Sequence, residues 1–179
     1  EVENQARSFR NLSSIGLEYD ILENLQFKTQ WGYDFYHLHE TRYEPTTVDR
    51  GAESDGIAVD ARSEISKLTN NSTLNYNADI GEHSFDVLLG YSFESYRDRY
   101  NDIRGVNFPN DNLRYLVSAG TIEDASSNGR DEGTQSLFGR IVYNYKNRIL
   151  SDFSIRRDGS SKFGDNNKYA IFPAVSLAW

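Results

Sequence analysis

Cysteine is absent from the 179 residues, so the chain has no disulfide, no thiolate metal site and no thiol nucleophile. Methionine is absent too, and the sequence opens on Glu1 with no apolar leader. A complete translation product begins with Met, so the chain reads as a cut or processed piece of a longer protein. Three histidines leave little for metal or acid–base chemistry, and three prolines permit long regular elements. No run of about 18 apolar residues occurs, which excludes a transmembrane helix. It does not exclude a membrane β-barrel, whose strands alternate and never look hydrophobic in a window. Basic residues are outnumbered 19 to 27, for a net charge of −8, which argues against a nucleic-acid binder.

What is present is period-2 alternation. In residues 25–39 the odd positions read Leu25, Phe27, Thr29, Trp31, Tyr33, Phe35, His37 and His39, against mostly polar even positions. Residues 84–97 place Phe85, Val87, Leu89, Tyr91 and Phe93 opposite Asp86, Gly90, Ser92 and Glu94. The pattern recurs at 66–80 (Leu68, Leu74, Tyr76, Ala78, Ile80), at 135–146 (Leu137, Gly139, Ile141, Tyr143, Tyr145) and at 148–157 (Ile149, Phe153, Ile155). It recurs again at 169–179 (Tyr169, Ile171, Pro173, Val175, Leu177, Trp179) and, less cleanly, at 8–20 (Phe9, Ile15, Leu17, Tyr19). These seven runs outlast the five or six residues typical of a soluble strand.

The connections alternate in length. Tight turns are expected near 21–24, 81–83 and 146–147, and long polar loops near 41–64, 98–134 and 158–168. Short turns at one end and long loops at the other is the layout of an outer-membrane barrel. The fold class predicted is therefore all-β: seven long strands of an antiparallel up-and-down transmembrane β-barrel. An open seven-stranded sheet would leave unpaired edges in lipid, so these strands belong to a larger barrel. Tyr19, Phe85, Tyr143, Tyr145 and Trp179 fall toward the short turns, and Tyr33, Phe35, Tyr91, Phe93 and Tyr169 toward the long loops, as two interfacial aromatic girdles would. Ordinary cross-strand packing is the competing account of these rings.

Local strings then add a resemblance. Ser136-Leu137-Phe138-Gly139-Arg140-Ile141-Val142-Tyr143-Asn144-Tyr145 is followed by Ser154-Ile155-Arg156-Arg157-Asp158-Gly159-Ser160-Ser161-Lys162-Phe163-Gly164 and by Phe172-Pro173-Ala174-Val175-Ser176-Leu177-Ala178-Trp179. In this order they resemble the barrel of SusC/RagA-type TonB-dependent transporters of Bacteroidetes. Leu88-Leu89-Gly90-Tyr91-Ser92-Phe93-Glu94 and Phe108-Pro109-Asn110-Asp111-Asn112-Leu113-Arg114-Tyr115-Leu116 are similar to the same family. The resemblance implies a barrel of about 22 strands with a plugged lumen. It also implies an outer-membrane location, a SusD-like surface lipoprotein as lid, the TonB complex as energy source acting through the plug, and oligosaccharides or peptides as cargo. No plug domain is recognisable in this chain. Two other readings stand beside it: a soluble β-rich carbohydrate-binding or adhesion module, and a non-transporting structural barrel.

Site chemistry is sparse. His37 and His39 share a strand face and form a possible metal pair, but no third ligand is evident, and a closed zinc site wants about four. Asp98, Asp102, Asp111, Glu123, Asp124, Asp131 and Glu132, and again Asp158, Asp165, Asn166 and Asn167, offer oxygen ligands for loop calcium without a regular spacing. The expectation is no metal, no cofactor and no enzyme: Glu94 and Asp98 are two carboxylates with nothing to fix them across a cleft. Asn71-Ser72-Thr73 matches a glycosylation acceptor pattern that a lumen-facing bacterial strand would not use. Tyr36, Tyr96, Asp111, Arg114 and Tyr115 are the residues expected to touch substrate or lid, because aromatic faces beside polar groups suit sugar or peptide capture. Gly32 and Gly90 are expected to make room for a plug.

Overall fold

The computed structural model describes residues 1–164 and 167–179. It is a single antiparallel sheet of seven strands in chain order: β1 (Glu3–Leu22), β2 (Leu25–Glu44), β3 (Ile57–Ile80), β4 (His83–Val106), β5 (Thr121–Tyr145), β6 (Ile149–Ser160) and β7 (Tyr169–Ala178). A one-turn helix α1 (Asp49–Ala52) and a 3-10 turn (Leu116–Ser118) sit in the two longest connections. The sheet is open, with β1 and β7 as its edges.

Register sorts the side chains. Ile141 lies opposite Phe153, which lies opposite Val175; Leu137 lies opposite Arg157, which lies opposite Ile171. These rows are an even number of residues apart, so they share one face. On the other face, Asp152 lies opposite Ser176 and Arg156 opposite Phe172. There the Arg140 guanidinium donates from Nε to both Asp152 oxygens at 3.0 Å, and Arg156 donates to Asp158 at 2.6 Å and to Ser136 at 2.9 Å.

The strands run further than the alternation foretold. The expected loops at 41–64 and 98–134 shrink to the irregular stretches 45–56 and 107–120. The reason is physical. Residues 121–131 are exposed on both faces, so they carry no apolar alternation to read. What orders them is the backbone ladder and polar pairing: Arg99 with Asp131 at 2.8 Å, Arg97 with Asp131 at 3.3 Å, Arg104 with Glu123 at 2.8 Å, and Ser126 with Asp102. Tight turns fall between Leu22 and Leu25, Ile80 and His83, and Tyr145 and Ile149. At the last, Lys146 and Asn147 both take left-handed φ values, 54° and 53°, and Asn144 brackets them by donating to Asn147 Oδ1 at 2.7 Å. Consecutive left-handed residues match the right-handed twist of a hairpin.

Packing divides the chain into two compact units. The first comprises residues 12–33, 67–96 and 132–179. Among the described residues it has no enclosed apolar core. Its large side chains stand open on one face, among them Leu137, Ile141, Phe153, Val175 and Leu177, the last at 72% exposure. On that same face Asn70, only 3% exposed, donates from Nδ2 to Thr29 Oγ1 at 3.1 Å and to the Gln30 carbonyl at 3.3 Å, while Ser72 donates to its Oδ1 at 3.0 Å. Trp31 and Phe93 from the flanking strands meet edge to face, 5.5 Å between centroids. A polar side chain withdrawn from water is tolerable only when satisfied in this way.

Gly32 and Gly90 do not leave space for an inserted element. A Cβ at Gly90 would stand 2.1 Å from the Phe138 ring, and one at Gly32 would stand 2.7 Å from Thr69 Oγ1. Neighbouring strands fill both sites. Gly90→Ala is therefore expected to destabilise the protein by about 1–3 kcal/mol through overpacking, with Phe138→Leu in the same chain restoring part of the loss. Denaturant midpoints of the single and double variants measure it; equal midpoints for wild type and Gly90→Ala would refute the clash.

The second unit comprises residues 1–11, 34–66 and 97–131. It holds a small core of Tyr43, Ala58 and Phe108, with Leu116 and Ala119 packed against it. Tyr43 and Phe108 meet edge to face at 5.4 Å and 89°. Backbone bonds join the two connections: Asn107 N–H donates to Ser54 O at 2.9 Å, and Phe108 N–H to Asp55 O at 2.7 Å. Gly56 makes this approach possible. Its φ is +86°, and a Cβ there would meet the Tyr43 hydroxyl at 2.9 Å.

Candidate functional site

The second unit contains a groove of about 340 Å³. Arg42, Tyr43, Asp60, Asn112, Arg114 and Tyr115 contribute to its walls. Two of the five residues expected to touch substrate or lid thus line one cavity. Asp111 lies just behind it. One of its oxygens accepts from the Tyr43 hydroxyl and the Thr46 N–H, both at 3.0 Å, and the other from Thr46 Oγ1 at 2.8 Å. Arg114 donates from Nε to the Asp111 carbonyl at 2.7 Å, pairs with Glu3, and lies 5.6 Å from the Tyr43 ring centre. Tyr115 is 82% exposed, the most available aromatic ring of the groove. Tyr36 belongs to the same unit but not to the groove walls, and Tyr96 belongs to the first unit.

Electrostatics follow from these partners. Asp111 and Arg114 lie in a connection between strands, and Tyr43 lies 18 residues past the start of β2, well beyond the 9–11 residues a tilted strand needs to cross hydrocarbon. Hydrogen bonds from the Thr46 backbone and hydroxyl, then Tyr43 and the Arg114 charge, hold the Asp111 carboxyl below the usual carboxylate range. Burial, then the bond to Asp111, pushes the Tyr43 hydroxyl up to about 12. A depressed carboxyl adds stability above its unfolded value, near pH 4, and loses it as pH falls through the lower folded value. The contact between the two connections is therefore expected to hold at pH 5 and to open only below about pH 4. Hydrogen–deuterium exchange of the 107–119 segment, corrected for intrinsic rates, checks this; Asp111→Asn should abolish the acid step.

Most of the acidic residues fall into partnered positions rather than one cluster. Asp131, Glu123 and Asp102 pair as given above, Glu132 pairs with Lys162 at 2.8 Å, and Asp98 with Arg130 at 4.0 Å. Asp158 belongs to the Arg156 pair, while Asp165 and Asn166 lie outside the described residues. His39 Nε2 shares a hydrogen bond with Asp60 at 2.9 Å. Among the described residues no three His, Cys, Asp or Glu side chains converge as a metal site would require.

The aromatics expected at interfaces gather in part. Beside the turn Gly81–Glu82, Phe85 packs on Tyr143 at 5.0 Å, while His83 stacks on Tyr143 and reaches its hydroxyl at 2.7 Å. Tyr145 meets His83 at 4.9 Å and carries Lys146 over its ring. Tyr91 and Phe93 neighbour each other further along β4 at 6.2 Å. Phe35 packs on Phe9 at 6.3 Å in the second unit. Tyr19, Tyr33, Tyr169 and Trp179 stand exposed. Sequence reasoning passed over Trp31 as an interfacial ring and missed what Trp31 and Phe93 flank. Only the pairing of β2, β3 and β4 brings Asn70 into that setting.

The two-sheet sandwich of a soluble binding module is not what folds. Among the described residues there is one sheet, its first five strands are 20–25 residues long, and no second layer packs on its apolar face. No family model matches the sequence. The chain is 32% identical over 166 residues to TonB-dependent receptor P3 of Formosa agariphila, which covers 90% of this chain and 16% of that receptor. It is 26% identical over 113 residues to TonB-dependent receptor SusC of Bacteroides thetaiotaomicron, covering 63% of this chain and 11% of SusC. In the solved RagAB peptide importer in its closed-closed state, a chain superposes with a TM-score of 0.86 over 97% of this chain and 20% of its own length, at 22% identity, which establishes the shared fold. The chain thus spans about a sixth of the length of the first of these curated relatives. These relatives are receptors and transporters, not enzymes. One sheet of long strands in chain order, the unpartnered apolar face and these likenesses converge: the chain is a barrel segment of a TonB-dependent receptor of the SusC/RagA type.

Proposed function

We propose that this segment forms part of the wall of an outer-membrane importer. The observation that carries this reading is the apolar face of the first unit, where Leu137, Ile141, Phe153, Val175 and Leu177 gather on one side of the sheet and stand exposed. Lipid is the environment that makes such a face stable, and the opposite face, with Arg140–Asp152 and Arg156–Asp158, suits a wet lumen. TonB-dependent receptors are outer-membrane proteins. The proposed cargo is oligosaccharide or peptide, taken up under a SusD-like lipoprotein and driven by the TonB complex through a plug contributed by the rest of the protein. Tyr36, Tyr96, Asp111, Arg114 and Tyr115 are proposed to face cargo or lid, with Tyr115 foremost because its ring stands open. The two sets of aromatics then sit at the two headgroup levels.

The test is fractionation of the native full-length protein, followed by unheated and heated gel runs of the detergent extract. Recovery in the outer membrane with a heat-modifiable band and a co-purifying lipoprotein is expected. Recovery as soluble material without a heat shift would overturn the reading.

A further inference from the structure

The first unit carries a second cavity, of about 500 Å³. Its position follows from register. Gln135 lies opposite Gly159, which lies opposite Tyr169, and this row is two residues from the Leu137–Arg157–Ile171 row and six from the Ile141–Phe153–Val175 row. The cavity therefore opens on the apolar face. Gly133 and Gly159 form its floor, and Tyr91, Phe93 and Tyr169 its walls. The Gly159 site is not slack: the Tyr169 ring lies across it, with Gln135 donating to the Tyr169 hydroxyl at 2.7 Å. Ser161 donates to the Gly133 carbonyl through its N–H at 2.8 Å and accepts the Gly133 N–H at its hydroxyl, also at 2.8 Å.

Two cations mark this cavity. Lys168 lines it. Arg157 rises from the adjacent row of the lipid face and lays its guanidinium over the Tyr169 ring, 3.9 Å from the centroid. Arginine on a lipid face is costly at mid-depth and bends toward the headgroups. The height agrees. Gly159 is ten residues past Ile149, the first residue of β6 after its tight turn, and a tilted strand crosses hydrocarbon in about 9–11 residues. The cavity thus lies at the headgroup level of the long-loop side, where rings, glycine floor and cations meet.

The geometry points to a binding site for the phosphorylated sugar headgroup of an outer-leaflet glycolipid. Tyr91 and Phe93 offer apolar surface to sugar faces and upper acyl carbons, the Arg157 guanidinium, held over the Tyr169 ring, gives a fork for phosphate, and Lys168 adds a point charge. This inference rests on the membrane reading above. It differs from that reading in naming a lipid held by the outer surface of the wall.

The experiment uses the full-length protein, exchanged into detergent and presented with vesicles of phosphatidylethanolamine containing either bisphosphorylated or dephosphorylated lipid A. Native mass spectrometry counts lipid A per barrel. The wild type is expected to retain the phosphorylated form, and the double variant Arg157→Gln, Lys168→Gln to retain at least tenfold less. Gly133→Leu tests the same site without touching charge: its Cβ has only the Glu94 carbonyl at 3.8 Å nearby, so the strand accepts it while the added side chain fills the cavity. It should lose lipid A likewise. Equal retention by wild type and both variants, or equal binding of dephosphorylated lipid A, would overturn the proposal. Displacement by inorganic phosphate alone would show a free-anion site and overturn it too. A heat-modifiable barrel in the outer membrane without bound lipid A sinks this inference and leaves the importer standing, whereas a soluble protein sinks both.

Discussion

An arginine placed at Ile141 is expected to destabilise the full-length barrel by about 2–4 kcal/mol, the cost of a cation near the bilayer midplane on the lipid side. Ile141 is four residues from Tyr145 at the tight turn, and its cross-strand partner Phe153 is four from Ile149 on the other side of it. That places the pair near the middle of the crossing. The control is Ser176→Arg at nearly the same depth. Ser176 lies on the opposite face, directly across from Asp152, and a wet lumen lets the new cation stay hydrated beside a carboxylate. Its expected effect is within about 0.5 kcal/mol, as for an ordinary exposed substitution. Reversible unfolding in vesicles with denaturant reads both. Equal costs would mean that the faces are assigned wrongly; a larger cost at Ser176 would invert them.

Phe108→Ala should cost about 3–5 kcal/mol, the range for removing a buried aromatic side chain. Here that cost falls on a local structure. Phe108 is 5% exposed and packs with Tyr43 and Ala58, in a unit whose other buried apolar side chains among the described residues are Ile57 and Val106. The expected result is rapid hydrogen exchange across 45–56 and 107–120, with protection of 84–93 unchanged. Tyr43→Phe keeps the ring and removes the bond to Asp111, so a loss of about 1 kcal/mol is expected. If Phe108→Ala raised exchange at 84–93 as much as at 107–120, the two units would be one cooperative structure, and the local account would fail.

What the sequence made legible follows where alternation has a physical cause. At 84–93 every second residue is apolar and lies on one face of the sheet, so Phe85, Val87, Leu89, Tyr91 and Phe93 announce a strand and its apolar face. At 121–131 neither face leaves water, so nothing in Thr121-Ile122-Glu123-Asp124 distinguishes a strand from a loop. Its partners decide, and pairing is not local information. Gly90 shows the same limit. A strand glycine reads as room for something, but only register shows that the occupant is Phe138. Asp111 was legible as a notable carboxylate in a polar connection. That three donors converge on it depends on Tyr43 and Thr46, more than 60 positions earlier. The cavity at Gly133 and Gly159 was invisible for a different reason: glycines and a lysine far apart in the chain have no shared signature until β4 to β7 are laid side by side.

The chain-order arrangement of the strands has a kinetic consequence. Every strand pairs with its successor, so no strand pairing must wait for a distant part of the chain to arrive. Loop-closure entropy is met one hairpin at a time, across connections of two or three residues on one side and longer ones on the other. Growth at an edge suffices: each new strand finds a template in the N–H and C=O groups of the one before it and becomes the template for the next. A wall built this way can lengthen by hairpin units without reshuffling what has already paired.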